Sequence, residues 1–180
     1  MLGPEHPNVA TNLNNLAFLY ESQGKYTEAE PLYRRALAIN KEALGPEHPD
    51  VATGLNNLAG LYRSQGRLDK AERLYLHALE TKKRTLGPEH PSTLLSLNNL
   101  GVLYKSQGRN DEAEPLYLRA LEIQERTLGP EHPSTLLSVN NVAVLYRSQG
   151  RDDEAKPLYL RALEAREHTL GSEHPSTLQS

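Results

Sequence analysis

Along residues 49–66, apolar side chains recur at Val51, Leu55, Leu58, Ala59 and Tyr62 with polar residues between them. That spacing lays them on one face of an amphipathic helix. Pro49 suits the first helical position, where its missing N–H would have no partner anyway. Gly66 is placed to end the helix as a residue of positive φ. A second apolar face follows in Ala71, Leu74, Tyr75, Ala78 and Leu79, and Leu86-Gly87-Pro88 stops it. Asp69…Glu72 reads as a capping box at its start, as do Thr27…Glu30 and Asp111…Glu114, while Asp153…Lys156 lacks the acidic half. Pro31, Pro115 and Pro157 stand four residues after these cap positions. They are expected inside the first turn, where proline costs less than the ~3 kcal/mol of a helix interior.

The same pair of faces returns along the chain. Leu-Gly-Pro-Glu-His-Pro occurs at Leu2–Pro7, Leu44–Pro49, Leu86–Pro91 and Leu128–Pro133, with a Ser variant from Leu170 to Pro175. The period is 42 residues, which divides the chain into repeats 3–44, 45–86, 87–128 and 129–170 and a partial repeat 171–180. The third and fourth repeats agree at 33 of 42 positions, so one structural unit is copied with little drift. One helix pair cannot bury two apolar faces, whereas stacked pairs share a continuous core. Ala29, Ala71, Ala113 and Ala155, with Ala36, Ala78, Ala120 and Ala162, let helices approach closely. Tyrosine fills the space opposite, its hydroxyl reaching the core edge.

Composition narrows the function. With 20 Lys+Arg against 23 Asp+Glu the net charge is −3, which excludes a strongly basic nucleic-acid binder and a polybasic membrane-surface protein. The absence of cysteine removes disulfides, thiol nucleophiles and thiolate metal sites. No apolar run approaches the roughly 20 residues of a membrane span, and the first residues do not read as a signal peptide. A soluble, cytoplasmic protein is expected.

The set Leu58, Ala59, Tyr62, Ala71, Tyr75 and Ala78, repeated as Leu16, Ala17, Tyr20, Ala29, Tyr33 and Ala36, resembles the tetratricopeptide repeat. The period and the Gly-Pro-Glu-His-Pro linker are similar to the long-repeat subclass of kinesin light chains and nephrocystin-like proteins. The resemblance spans essentially the whole chain. It implies an all-α fold, a right-handed superhelical solenoid of four helix-turn-helix repeats plus a partial fifth. It also implies a concave groove lined by the first helix of each repeat. A chaperone-tail clamp is not expected, because its Lys-type position holds Asn14, Asn56 or Asn98 and its later Asn-type position holds Phe18, Gly60 or Val102.

Candidate chemistry is sparse. His6, His48, His90, His132 and His174 recur once per repeat. Equivalent positions in stacked helices lie roughly 8–10 Å apart, too far to share a zinc ion, so a linker or helix-start role is expected and no metal. His77 and His168 are isolated and expected in solvent. No phosphate loop, nucleophile elbow or His-Glu-x-x-His motif occurs, so neither an enzyme nor a cofactor is expected. The doublets Asn14-Asn15, Asn56-Asn57, Asn98-Asn99 and Asn140-Asn141 stand out, because asparagine is a mediocre helix former. Two readings stay open: the amides hold the backbone of an extended peptide in the groove, or they form a ladder between neighbouring helices. The first Asn of each doublet is taken for the groove. Helical spacing extends that face to Leu95, Val102, Leu137 and Val144 and to the cations Arg63, Lys105 and Arg147. Together they suit an extended peptide with a hydrophobic anchor and acidic neighbours. The alternative for the cations is plain solvation at helix ends, where they complement the helix dipole. Lys82-Lys83-Arg84 is likewise expected as a solvated helix end.

The chain stops ten residues into a fifth repeat, with no capping helix after Ser180. A fragment of a longer array, or an idealised one, is expected, with a frayed last turn and end faces near Leu158 and Leu163 open to contact. The first function expected is a non-enzymatic scaffold holding a peptide or protein segment in its groove, with neither nucleic acid nor membrane as partner. Two alternatives stand beside it. One is a structural array that self-associates through its open ends, and the other is the sensor arm of a larger multidomain signalling protein.

Overall fold

A computed structural model describes residues 6–170, with side chains described through residue 167. The partial repeat 171–180, including His174 and the expected frayed turn, lies outside the described residues, as does the side chain of His168. Each repeat forms two helices: α1 (Pro7–Ser22) and α2 (Tyr26–Leu44), α3 (Pro49–Ser64) and α4 (Leu68–Leu86), α5 (Pro91–Ser106) and α6 (Asn110–Leu128), α7 (Pro133–Ser148) and α8 (Asp152–Leu170). The fold is all-α, with no strand among the described residues. None of these helices is long and apolar enough to cross a membrane. The helices fall into two compact units, one ending at Leu103 and the other beginning at Tyr104.

In the first unit α1 packs on α2, α2 on α3 and α3 on α4; in the second α6 packs on α7 and α7 on α8. The face expected from residues 51–62 is buried throughout, and so is that of residues 71–79 apart from half-buried Leu74. All eight alanines named above are buried. Pro49 opens α3, and Gly66, at φ +72°, closes it behind the cap residue Gln65. The linker histidines start helices. His48 Nδ1 accepts the Asp50 backbone N–H at 3.2 Å, and His6, His90 and His132 do the same for Asn8, Ser92 and Ser134. Each satisfies one of the free N–H groups of a helix start.

Four expectations need correction. The capping boxes do not form. The residues that cap α2, α4 and α6 are Lys25, Arg67 and Arg109, none with a side-chain cap bond. The glutamate that would close the box is engaged elsewhere: Glu30 binds Arg67 at 2.8 Å and Arg34 at 2.7 Å, and Glu114 binds Arg151 at 2.8 Å. Pro31 is the sixth residue of α2, past the first turn. Its helix survives because Pro31 faces solvent, as do Pro115 and Pro157, so the carbonyl it deprives of a donor can bind water. Leu158 and Leu163 are half-buried; among the described side chains of α8 the exposed leucine is Leu160. Lys82 is not solvated: its side chain is 1 % exposed, while Lys83 and Arg84 are exposed and Arg84 pairs with Glu47.

The turns carry a feature that the hydrophobic pattern does not reveal. The cation after each Gln-Gly covers the tyrosine that ends the preceding helix. Arg67 lies 4.2 Å from the Tyr62 ring, Arg109 4.1 Å from Tyr104 and Arg151 3.8 Å from Tyr146, while Lys25 is looser at 5.8 Å from Tyr20. Arg67 also donates to Gln65 Oε1, and the Tyr62 hydroxyl donates to Glu30 at 3.1 Å. Burial works against the charge of Glu30, but the hydrogen bonds from Tyr62 and Arg67 hold its carboxyl below the usual range. The clasp thus ties the turn of one repeat to the second helix of the repeat before it.

Lys82 donates only to the Ser92 carbonyl, at 3.4 Å, and burial pushes its ammonium down to about 8 from 10.5. Between those values the unfolded chain still holds a proton that the folded chain has released. Stability therefore rises with pH through that window, and the penalty is fully present below it. Lys82→Met should stabilise the protein at pH 7 by on the order of 2–3 kcal/mol, an advantage that shrinks toward pH 10. Urea denaturation of both proteins at the two pH values checks this; equal midpoints at pH 7 would refute it.

Candidate functional site

The face singled out on the first helices is only partly solvent-facing. In the first unit, Asn14 is half-buried and Asn56 and Asn98 are buried; Arg63 and Val102 are half-buried. Leu95 stands 52 % exposed on α5, three residues before Asn98. In the second unit, Leu137 is 51 % exposed on α7, Asn140, Val144 and Lys105 are half-buried, and Arg147 is exposed. Each leucine is flanked by buried neighbours, Leu94 and Ser96 or Leu136 and Ser138. Rigid packing therefore presents an apolar side chain to water at the same register in two repeats. In the other two repeats that position holds Thr11 and Thr53, each exposed and bonded back to its own helix at Pro7 and Pro49.

Asn56 shows how the first member of a doublet is held. It is 6 % exposed, and its Nδ2 donates to Ser96 Oγ on α5 at 2.6 Å, while its Oδ1 has no protein partner. This is the inter-helix strut that one of the two readings allowed. Its signal in the sequence is the serine 40 residues downstream. At the matching position for Asn14 stands Gly54, and the Asn14 Oδ1 is likewise without a partner. Gly54 packs closely, since a Cβ there would meet Leu37 Cδ1 at 3.2 Å and the leucine would have to give way by a few tenths of an ångström. The second members of the doublets are more open: Asn15 is exposed and Asn57 half-buried.

In the first two repeats the residue near the end of the first helix faces the tyrosine of the following helix, and its charge differs between them. Glu21, at that position in the first repeat, accepts from the Tyr33 hydroxyl at 2.9 Å. In the second repeat Arg63 stands there instead, and its positive charge works against the rise that burial gives the Tyr75 hydroxyl. Burial and, after it, Glu21 push the Tyr33 hydroxyl well above the ordinary tyrosine range. The Arg63 Nε is buried without a protein partner. In the second unit Arg147 is exposed beside an open cleft of about 320 Å³, lined by Asp153, Lys156 and Tyr159. No ion-pair partner for Arg147 is present among the described residues. Nor does any group of three His, Cys, Asp or Glu side chains there converge as metal ligands would. The arrangement can offer amide donors and acceptors, leucine pads and guanidinium groups, which is the chemistry of recognition.

A tetratricopeptide repeat family model matches residues 8–83, 50–126 and 95–168. Crystal structures of similar chains exist. BtubC (BKLC) from P. vanneervenii is 31 % identical with a TM-score of 0.83, over 96 % of this chain and 68 % of that one. A kinesin light chain-like protein of Podosopora anserina with nearly identical TPR-like repeats is 34 % identical with a TM-score of 0.81, over 97 % of this chain and 82 % of that one. A single-substitution variant of that protein matches similarly, at 32 % identity and a TM-score of 0.82, over 99 % of this chain and 84 % of that one. No curated protein matches the sequence.

The strut has a measurable weight. Asn56→Ala removes a buried hydrogen bond between α3 and α5 and should cost about 1–2 kcal/mol. Asn57→Ala should stay within about 0.5 kcal/mol. Urea midpoints for the pair test this, and equal losses would remove the distinction between the two asparagines.

Proposed function

Because this chain belongs to the tetratricopeptide repeat family, whose repeats generally mediate protein–protein interaction, we propose that it is a non-enzymatic module that holds an extended peptide on its first-helix faces. The observation that carries this reading is the pair of half-exposed leucines, Leu95 and Leu137, at one register of the repeat. Single exposed leucines are common on any surface, but apolar side chains that recur at one register beside further apolar positions and a polar rim suit a contact surface. Val102 and Val144 continue each pad two helical turns further along. Half-buried Asn140 stands one turn from Leu137, where its amide suits a peptide backbone, and half-buried Asn14 offers the same group in the first repeat, whereas Asn56 and Asn98 are buried and Asn56 is held by Ser96. The unit ending at Leu103 offers Arg63, and the unit beginning at Tyr104 offers Lys105 and Arg147, so acidic residues flanking a hydrophobic anchor suit either one.

A peptide-library screen on the purified chain tests this. A motif with an apolar anchor and acidic neighbours is the expected enrichment. Leu95→Ala and Leu137→Ala should each weaken the selected peptide by about ten-fold, and Arg147→Ala should lower its salt sensitivity. Enrichment that survives both leucine variants would overturn the reading.

A second reading rests on α1. Leu16 and Leu19 are exposed there, whereas their counterparts Leu58 and Leu61 in α3, and Val142 and Leu145 in α7, are buried. A second copy covering this face would make the protein self-associate. Sedimentation equilibrium should then show a dimer that Leu19→Glu abolishes; a monomer at high concentration removes this reading.

A further inference from the structure

The position near the end of each second helix is polar in all four repeats: Asn40, Lys82, Gln124 and Arg166. In the second repeat the long Lys82 side chain is buried, and its ammonium reaches the Ser92 carbonyl at the start of α5. In the first repeat the same position holds the shorter side chain of asparagine, and here the helices leave a cleft of about 400 Å³ between α1 and α3. Asn40 lies in its wall, 8 % exposed, and its amide bonds to nothing in the protein. Around it stand Asn14, whose Oδ1 is buried without a protein partner, the more open Asn15 and Asn57, and Thr53 and Asp50. Asp50 is the single charged group of the lining, and it occupies the position held by Asn8, Ser92 and Ser134 in the other repeats. The lining therefore carries one negative charge, which also faces the Lys82 ammonium, together with several amides and no cation of its own.

We propose that this cleft between α1 and α3 is a subsite for a basic side chain, the ammonium or guanidinium of a bound peptide, which takes the place that Lys82 fills from within in the next repeat. The chain itself shows that a lysine fits at this register. Asn40 and Asn57 can accept from the incoming N–H groups through their carbonyls, and Asp50 neutralises the charge. An open cleft keeps part of the cation's hydration, which closed packing denies to Lys82. The proposal deepens the peptide-binding reading and rests on it. It adds that the peptide places a lysine or arginine against the first two repeats, apart from the acidic residues expected near Arg63 and Arg147.

The test uses the full chain labelled with ¹⁵N and with ¹³C at leucine methyl groups. Two capped tripeptides serve as probes, Ac-Ala-Lys-Ala-NH₂ and its norleucine analogue, which keeps the chain length but lacks the ammonium. The side-chain amide signals of Asn15, Asn40 and Asn57 should saturate at an about five-fold lower concentration of the lysine probe. Asp50→Asn should cut that preference to within about two-fold. Asn40→Lys, which fills the cleft as Lys82 does, should abolish the response to both probes while the protein remains folded by circular dichroism. Equal responses to the two probes in the parent protein, or an unchanged response in Asn40→Lys, would overturn the proposal. The Leu95 and Leu137 methyl signals report separately on the peptide face. Methyl shifts without lysine preference at the cleft would sink the subsite alone, and lysine preference with silent methyl groups would uphold the subsite and count against the leucine pads.

Discussion

Close approach of helices at alanine is the constraint on which the rest depends. Eight alanines, two on each second helix, are buried to within a few per cent. A larger side chain at any of them would push a helix away from its neighbour and open the space that Tyr33, Tyr75 and Tyr117 fill. Because the tyrosines are long, their rings complete the core while their hydroxyls emerge at its edge. There they meet charged partners, Glu21 for Tyr33 and Arg63 for Tyr75. Core packing and site electrostatics therefore share the same residues.

The second recurring device joins one repeat to the next. A glycine of positive φ turns the chain after Gln65 or Gln149, and the following arginine folds back over a tyrosine ring while binding a glutamate of the preceding repeat. Three weak interactions, stacking, ion pairing and the hydrogen bond to glutamine, converge on one guanidinium, so ordering that side chain once serves all of them. Lysine at position 25 lacks the planar fork, and its contact with Tyr20 is correspondingly longer.

Against this uniform framework, the proposed recognition sites lie where the repeats differ. The register that holds Thr11 and Thr53 changes to Leu95 and Leu137, which moves the surface from polar to apolar along the chain. The register of Asn40 and Lys82 changes in length, which leaves a cleft open in one repeat and filled in the next. Neither change disturbs the alanine and tyrosine positions. A repeat protein can vary its recognition chemistry in this way without altering its fold.

The helices, their order and their apolar faces were legible in the sequence, because a 3.6-residue period, a C′ glycine and a proline at the first position are local properties of the chain. So was the role of the linker histidines as helix starters. What the sequence could not decide was which partner a polar side chain would choose. Glu30 fits a local capping box, yet it turns to Arg67, thirty-seven residues away, because a guanidinium and a tyrosine hydroxyl together bind a carboxylate more strongly than one backbone N–H. Asn56 and Lys82 lie in segments that read as polar, and both are buried because the next helix covers them. Burial and pairing of long polar side chains depend on contacts far apart in sequence, and only the tertiary structure brings those contacts together.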